Sequence, residues 1–425
     1  MQFTKDPKTP EEIPQNAIEQ AVELMKSGLL FRYNFHTQLN EYSEKSALDN
    51  ELASQVAQLE DEFRRYIGHK YAIGVNSCGS ALFLSLKAAG VQYQDKVFTN
   101  AFTFTAVPSS IVHAGGVPVY LECNHQYVVD VEHFKSQIEA NPDVKFFILS
   151  HMRGHIADMA TIEALCDEAG IYLIEDCAHS LGAKWIDEKS GEERLIGNFG
   201  RIACFSSQSH KLLNSGEGGL ISTNDEKAAA YCTLAAGSYE YLYKKHIARP
   251  YNDALFEELK LYVPNFSLRM SNLTASVLRA QIPTLPHRIE QYNQRYRQLE
   301  RILSSCDNIY VPSPLPQVFR VGDSIQFNLL NLTTEQVDQF LKQTKERGVR
   351  IQIFGRLDNA RYFRNWRYSF DEVPELKQTE QIISFACDLR LSLSFDADDI
   401  DLLGYIIKDV LSRIVSPDNK ALNSN

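Results

Sequence analysis

Seven short apolar runs alternate with helix-like stretches between residues 71 and 223, and this alternation restricts the possible folds more than any other feature. Stretches such as SALFLSLKAAG and MATIEALCDEAG separate the runs, which read YAIGV, KVFT, VPVYLE, VKFFILS, IYLIED, RIACFS and GGLIST. Such strand–helix–strand repeats build an α/β fold, a mostly parallel sheet sandwiched by helices. Ligands bind at the carboxyl ends of the strands in these sheets, so we expect the chemistry in the segments that follow the runs.

Helical patterns precede the alternating region, and a second unit follows it. An apolar stripe over residues 15–28, and the spacing of Leu52, Val56, Leu59 and Phe63, predict two opening helices. After about residue 285 comes a long amphipathic segment, which predicts a further helix. The segments SIQFNLLNL, TTEQVDQFLKQTKERG, VRIQIF and IDLLGYIIKDVL then predict two strands and two helices.

Capping residues mark the ends of those later helices. The helix after SIQFNLLNL is expected to begin at Thr333 or Thr334 and to stop at Gly348, and the acidic run 396–399 is expected to cap the last helix. We therefore predict a large α/β domain with its N-terminal helices over residues 1–285. A small C-terminal α+β domain would span 286–415, followed by a polar tail over 416–425.

Charge and cysteine content exclude several classes of protein. With 43 Lys and Arg against 54 Asp and Glu, the net charge of −11 disfavours nucleic acid and anionic membranes as partners. No stretch of 18 apolar residues and no apolar N-terminal segment occurs, so we expect neither a membrane span nor secretion. The eight cysteines, never closer than eleven residues, form no C-x-x-C motif and suit a reducing cytoplasm.

Lys211 lies between two predicted strand ends, in CFSSQSHKLLNSGEGG. Partial desolvation and nearby positive groups lower the pKa of a lysine held there and make its amine nucleophilic, as Schiff-base chemistry requires. A solvated surface lysine is the ordinary alternative for one such residue. Asp176 ends the run IYLIED, 35 residues before the lysine, where its carboxylate would either keep the ring nitrogen of pyridoxal phosphate protonated or cap a helix.

Two further segments contain residues that bind ligands in other proteins. The turn NSCGSA, with Gly79 and Ser80, joins the first strand to a helix whose free N–H groups suit a phosphate, although this signal is weak alone. His151 and His155 are four residues apart in HMRGH, but they follow a predicted strand and have no glutamate between them. We therefore predict no metal site. The sequence contains no dinucleotide, P-loop, zincin or nucleophile-elbow motif.

In this order, these segments resemble the DegT/DnrJ/EryC1/StrS sugar aminotransferases, which are fold type I pyridoxal-phosphate enzymes. The resemblance covers about residues 50–285, and HMRGHIADM stands where the family usually has H-x-Y-G-x-x-A-D-M. The other segments that match are NSCGSAL, AFTFTAVPSSIVHAGGVPVYLE, IEDCAHSLGA, CFSSQSHK to GEGG, and LRMSNLTASVLRAQ.

The resemblance implies pyridoxal 5'-phosphate as cofactor and assigns roles by position. Lys211 would carry the cofactor as a Schiff base and move the proton between substrate and cofactor carbons, and Asp176 would contact the pyridine nitrogen. The remaining roles would be contact with the ring hydroxyl by His179, stacking on the ring by Phe104, and binding of the phosphate by Gly79, Ser80 and Ser206. Core packing is the alternative for Phe104. Family members are generally homodimers with shared sites, and Ser267 stands where a neighbouring subunit usually supplies an asparagine.

The sequence departs from the family before the lysine and in the second unit. Gln208, Ser209 and His210 replace the usual aromatic residue and proline, and a lysine at position 211 argues against related dehydratases that have histidine there. Four arginines lie within twelve residues in place of a His-Pro segment, at positions 356, 361, 364 and 367. They are either an anion clamp or a solvated helix face.

We therefore expect a cytoplasmic aminotransferase of amino-sugar and surface-polysaccharide (lipopolysaccharide) biosynthesis. The resemblance implies L-glutamate or glutamine as donor and a sugar ketone or aldehyde as acceptor. That acceptor would be a nucleotide-linked keto sugar or, if the arginines bind a carboxylate, an eight-carbon keto-deoxy sugar acid. A pyridoxal-phosphate-dependent deoxysugar dehydratase and a catalytically silent regulator are the alternatives.

Overall fold

A computed structural model describes residues 1–34 and 54–416 of the chain. Its main sheet has seven strands in the order β1-β9-β8-β5-β4-β2-β3. The antiparallel partners of β9 are β1 and β8, and the other pairs are parallel, so β9 alone runs against the rest of this sheet. The strands are β1 Tyr71–Val75, β2 Lys96–Asn100, β3 Val117–Leu121, β4 Phe146–Ser150, β5 Tyr172–Asp176, β8 Ile202–Ser206 and β9 Gly219–Thr223.

Two smaller antiparallel sheets accompany the main sheet in the described residues. A three-stranded sheet in the order β11-β6-β7 consists of β6 Lys184–Ile186, β7 Glu193–Leu195 and β11 Val318–Phe319. A four-stranded sheet in the order β10-β12-β14-β13 consists of β10 Ile309–Tyr310, β12 Ser324–Leu329, β13 Gln352–Ile353 and β14 Ala386–Arg390.

Helices cover both faces of the main sheet and one face of the four-stranded sheet, each with its own apolar core. Those up to the end of the main sheet are α1 Gln15–Ser27, α2 Gln55–Ile67, α3 Cys78–Ala89, α4 Ala106–His113, α5 Val131–Ala140, α6 Met159–Ala169 and α7 Glu226–Ala236. Those after it are α8 Asp253–Leu259, α9 Asn272–Arg279, α10 Leu285–Leu303, α11 Thr334–Glu346, α12 Lys377–Ile383 and α13 Ala397–Val415. No helix in the described ranges is both long enough and apolar enough to cross a membrane.

The predicted fold class is confirmed, and all seven predicted strands of the main sheet form. Thr333 caps α11 in a reciprocal capping box, and Asp396 does the same for α13. The first two predicted helices are α1 and α2, with Leu52 outside the described residues, as are residues 417–425 of the predicted tail. The division at residue 285 stays a prediction.

The first residues of the chain contact the second unit. Phe3 is buried in the core of the four-stranded sheet and meets the Phe395 ring edge-on at 5.2 Å. Lys5 forms ion pairs with Asp396 and Asp399 at the start of α13. The segment that precedes α1 therefore crosses from one unit to the other.

Candidate active site

The predicted site residues come from segments that follow strands of the main sheet. Asp176 is the last residue of β5, His179 lies in the turn after it, and Ser206 ends β8. Lys211 lies in the loop between β8 and β9. Backbone hydrogen bonds from Ser207 to Gly218 and from Ser209 to Gly216 close that loop on itself, so it is held at the sheet edge.

Lys211 and His179 are in direct contact. Lys211 Nζ lies 2.7 Å from His179 Nε2, and His179 Nδ1 lies 3.4 Å from Asp323 Oδ2. The carboxylate favours the tautomer in which Nδ1 donates to it, which leaves Nε2 to accept from the lysine. Burial, together with the charge of Lys211, holds the pKa of His179 well below its usual range, so this imidazole is neutral at neutral pH.

The Lys211 amine is prepared for nucleophilic chemistry. Burial, and next the positive charge of Arg153, lower the pKa of Lys211 to about 7. Asp323 and Asp176 oppose this shift, and Arg390 adds to it. A far larger fraction of this amine is therefore neutral near pH 7 than of an ordinary lysine, which is almost fully protonated there.

Asp176 is buried and held by two hydrogen bonds. Its Oδ2 accepts from the Ser150 hydroxyl at 2.9 Å, and its Oδ1 accepts from the Ala178 amide at 3.1 Å. The thiol of Cys78, the first residue of α3, lies 3.9 Å from Oδ1. Asp176 is thus fixed in orientation between the Lys211 loop and the start of α3, as a ring-nitrogen partner requires.

The N-terminus of α3 contains Gly79 and Ser80 and opens on a cavity. Ser77 caps the helix by accepting from the Ser80 amide, whereas Cys78 and Gly79 lie in the first turn, where amides have no intrahelical partner. A cavity of about 430 Å³ borders Gly79 and Ser80 and is also lined by Ser109, Ser110 and Phe266. Amides without an intrahelical partner at a helix N-terminus suit an anion such as a phosphate, and the cavity provides space beside them.

Ser206 approaches this turn through its strand partner. It pairs in register with Gly219, and a β-carbon on Gly219 would lie 2.4 Å from the backbone of Ser77. The ends of β8 and β9 therefore touch the α3 turn. This contact explains one glycine of the GEGG motif and brings the end of β8 close to the first turn of α3.

The two histidines weighed as metal ligands have different partners. His155 Nε2 contacts Gln326 Oε1 at 2.8 Å, and His151 Nε2 contacts Glu175 Oε2 at 2.9 Å. The ligand atoms of His151, Glu175 and Cys177 lie within 4.8 Å of one another. Glu175, however, also accepts from three backbone amides between residues 197 and 200, so it anchors the turn before β8.

The predicted arginine cluster divides in the structure. Arg356 pairs with Asp338 and Arg364 pairs with Glu380, at or near the surface, and Arg367 is exposed. Arg361 alone turns inward, where its guanidinium lies 5.3 Å from the centre of the Phe104 ring. Phe104 is 41% exposed, so core packing does not account for it.

Several residues near Lys211 were not predicted from the sequence. Asp323 and Arg390 come from the second unit, and no motif there indicated them. Arg153 was visible as a departure, since HMRGH carries arginine where the family pattern has tyrosine. The side chain of Arg153 is 2% exposed and pairs with Asp388, itself buried on β14.

Known proteins resemble the chain in sequence and in fold. The profile of the DegT/DnrJ/EryC1/StrS aminotransferase family matches residues 33–408. Spore coat polysaccharide biosynthesis protein SpsC of Bacillus subtilis is 34% identical over 175 residues, which cover 41% of this chain and 43% of SpsC. GDP-perosamine synthase of Vibrio cholerae is 29% identical over 251 residues, 59% of this chain and 62% of the synthase. Both alignments span less than two thirds of the relative's length.

Solved structures share the fold over nearly the whole chain. The crystal structure of 3-amino-5-hydroxybenzoic acid synthase superposes with a TM-score of 0.75. The sequence identity is 22%, and the alignment covers 96% of this chain and all of the synthase. At that identity the likeness establishes the fold alone.

Proposed function

Because this chain belongs to the DegT/DnrJ/EryC1/StrS aminotransferase family, whose cofactor is pyridoxal phosphate, we propose that it transfers an amino group to a sugar. The amino donor is L-glutamate or L-glutamine. The acceptor carbon is a ketone or an aldehyde, carried by a nucleotide-linked keto sugar or by an eight-carbon keto-deoxy sugar acid. The observation on which this rests is the Lys211 amine, with its pKa of about 7, in contact with His179.

The residues present fit this cofactor. The α3 amides beside their cavity suit its phosphate, and the buried Asp176 carboxylate suits a protonated ring nitrogen. Lys211 supplies the amine that an aldehyde requires. Phe104, half-exposed and backed by Arg361, offers an aromatic face for the ring, and Ser206 lies on the phosphate side.

When bound, pyridoxal phosphate supplies an aldehyde that takes up an amino group and a ring that withdraws electrons from the substrate carbon. The chain's own residues handle protons and orientation. Neutral Lys211 Nζ is able to accept a proton from a substrate carbon and return it nearby, and the contact with His179 Nε2 fixes its direction. Asp323, through His179 Nδ1, holds the imidazole in place.

Colour and product tests decide this proposal. Purified protein supplied with pyridoxal phosphate should be yellow, lose that absorbance with L-glutamate or L-glutamine, and release 2-oxoglutarate or 2-oxoglutaramate, respectively. Lys211→Ala should lose both the colour change and the product. A protein that binds no cofactor, or a wild type that both L-glutamate and L-glutamine leave yellow, would contradict the proposal.

The alternatives from the sequence predict other results. A deoxysugar dehydratase would release water from the sugar without consuming glutamate stoichiometrically, and a silent regulator would keep its activity in Lys211→Ala. Screening keto sugars and sugar acids for acceptor-dependent 2-oxoglutarate release identifies the acceptor. We further propose a cytoplasmic homodimer, in which the exposed Ser267 region next to the α3 cavity contacts the neighbouring subunit.

A further inference from the structure

Arg153 has unused hydrogen-bonding capacity in a buried position. Its Nη2 pairs with Asp388, whereas its Nε and Nη1 have no hydrogen-bond partner within the part of the chain that the structure describes. A buried guanidinium with unmet donors is costly, since each loses its water without replacement. The residue also adopts a φ of 55°, a conformation uncommon for non-glycine residues. These costs indicate that the charge of Arg153 serves a ligand.

Two other arginines face the same place. Arg361 Nε is also buried without a partner in the described ranges. Burial, and next the charge of Arg153, lower the pKa of Arg361 to about 10, and the same two causes lower the pKa of Arg390. Arg390 Nη1 donates at 3.1 Å to the carbonyl of His210, the residue before Lys211. Arg390 also lies two residues after Asp388, the partner of Arg153, and therefore on the same face of β14.

Two carboxylates, of Asp323 and Asp388, accompany these three guanidinium groups. Lys211 adds a fourth cation whenever its amine is protonated, and Asp176 beside it adds a third carboxylate. Lys211 lines the same small cavity as Arg390 and Asp323. With the amine protonated, four cations therefore face three carboxylates, and the local balance is positive in a chain whose net charge is −11. A bound anion would complete this group of charges.

We propose that Arg153, Arg361 and Arg390 bind a carboxylate group of the substrate beside the Lys211 amine. Guanidinium forks match the two oxygens of a carboxylate. The α3 amides already offer the cofactor phosphate a separate site, so this second anion site belongs to the substrate. The inference rests on the proposed function and narrows its substrate class to carboxylic acids.

Two substrates can supply that carboxylate. An amino acid donor carries one directly on the reacting carbon, whereas a sugar acid acceptor carries one at the far end of its chain. The pyrophosphate of a nucleotide-linked sugar is the competing anion. Binding of three unreactive probes to the holoenzyme distinguishes these cases: glutarate for the donor, 3-deoxy-octulosonate for the acid acceptor, and uridine diphosphate for the nucleotide.

Isothermal titration calorimetry on Arg153→Met, Arg361→Met and Arg390→Met provides the test. We expect glutarate, 3-deoxy-octulosonate or both to bind at least about tenfold more weakly, as loss of a charge-assisted hydrogen bond implies. Arg356→Met is the matched control, because Arg356 pairs with Asp338 near the surface, and it should bind all probes like the wild type. Weaker binding of glutarate shows that the arginines bind the donor's carboxylate, and weaker binding of 3-deoxy-octulosonate shows that they bind the acceptor's.

The proposal is overturned if the wild type binds neither acid, or if the three variants bind both acids with the wild-type affinity. It is also overturned if the variants weaken the binding of uridine diphosphate alone. Arg153→Met leaves Asp388 buried without its partner, so the double variant Arg153→Met/Asp388→Asn is measured as well. Arg361 and Arg390 are half-buried, so their variants test the site without this cost to folding. Thermal unfolding confirms the fold of each variant. A wild type that neither L-glutamate nor L-glutamine converts contradicts the proposed function instead, whatever its affinity for these acids.

Discussion

At the scale of single residues, the most informative group is the Lys211 amine. Burial and Arg153 lower its pKa to about 7, and only the neutral amine attacks an aldehyde. The rate at which apoprotein takes up pyridoxal phosphate should therefore rise up to about pH 7 and level off above it. Stopped-flow absorbance measures this rate, and a rate still rising toward pH 10 would show an ordinary lysine.

Neighbouring charges should move that midpoint in opposite directions. Arg153→Met removes a cation beside Lys211 and should raise the midpoint pH of uptake, because the protonated amine becomes easier to hold. Asp323→Asn removes an anion and should lower it. Arg356→Met should leave it unchanged. Shifts of the same sign in the two site variants would contradict the electrostatic account.

The predictability of the site depended on where each residue lies in the chain. Lys211, Asp176 and Gly79 follow strands of an alternating pattern, and parallel strands bring such segments to one edge. Asp323 and Arg390 reach the site only because the second unit packs against it. Both lie more than a hundred residues after Lys211 in the sequence, so no local pattern predicts their contact with it. Arg356, Arg361 and Arg364 are close in the sequence and were therefore predicted as one cluster. In the structure Arg356 and Arg364 pair with different acidic residues, and Arg361 is left apart from both.

At the scale of elements, Gly219 controls the approach of β9 to α3. A β-carbon there would lie 2.4 Å from Ser77 and 2.7 Å from the Cys78 amide, so Gly219→Ala must push the turn away from the strand. We expect a loss of about 1–3 kcal/mol in stability and weaker cofactor binding. Fluorescence titration and urea unfolding measure both. Ile221→Val on the same strand should cost stability alone, and equal cofactor affinity in both variants would contradict this role.

Helix α2 is connected to Arg32, which follows α1, by a buried charge network. Glu60 accepts from Arg32 at 2.9 Å through both oxygens, and it contacts His246 at the same distance. Burial opposes ionisation of Glu60, but the charge of Arg32, together with hydrogen bonds from Arg32 and His246, prevails and lowers its pKa to about 2. Glu60→Gln should cost about 3–5 kcal/mol at pH 7, because Arg32 keeps its buried charge without a partner.

The depressed pKa also fixes the sign of the pH dependence. The stabilisation that ionised Glu60 contributes is fully present above about pH 4.3, the ordinary pKa of glutamate, and is lost as the pH falls toward about 2. Denaturant unfolding should therefore show the cost of Glu60→Gln shrinking over that window. Glu12→Gln, at an exposed position, should show no such cost, and a pH-independent difference for Glu60→Gln would contradict the account.

Element prediction succeeded where hydrophobic periodicity is long enough to read. The seven main strands and the capped helices α11 and α13 have it, but strands of two or three residues do not. The sheet of β6, β7 and β11 therefore had no sequence signal, since Val318 and Phe319 find their partners across more than a hundred residues. The predicted strand VRIQIF shortens to Gln352–Ile353, because only these residues pair with β14.

At the scale of the whole molecule, the first twelve residues connect the second unit to the Lys211 site. Phe3 is buried in the core of the four-stranded sheet, and Glu11 pairs with Arg288 and Tyr292 on α10. Between these two contacts, Pro7, Thr9 and Pro10 line the small cavity that also borders Lys211. This N-terminal segment thus contributes to the burial that is the first cause of the lowered lysine pKa.

Detaching the N-terminal segment should consequently change the chemistry of a lysine about two hundred residues away. Phe3→Ala combined with Glu11→Gln removes both contacts and leaves the partly exposed Lys5 ion pairs, which contribute little, so water reaches Lys211 and its pKa rises toward the ordinary value. We expect the midpoint pH of cofactor uptake to move above about 7 while the main sheet stays folded by circular dichroism. Glu12→Gln leaves both contacts in place and should keep the wild-type midpoint. An unchanged midpoint in the double variant would show that the large unit alone desolvates the amine.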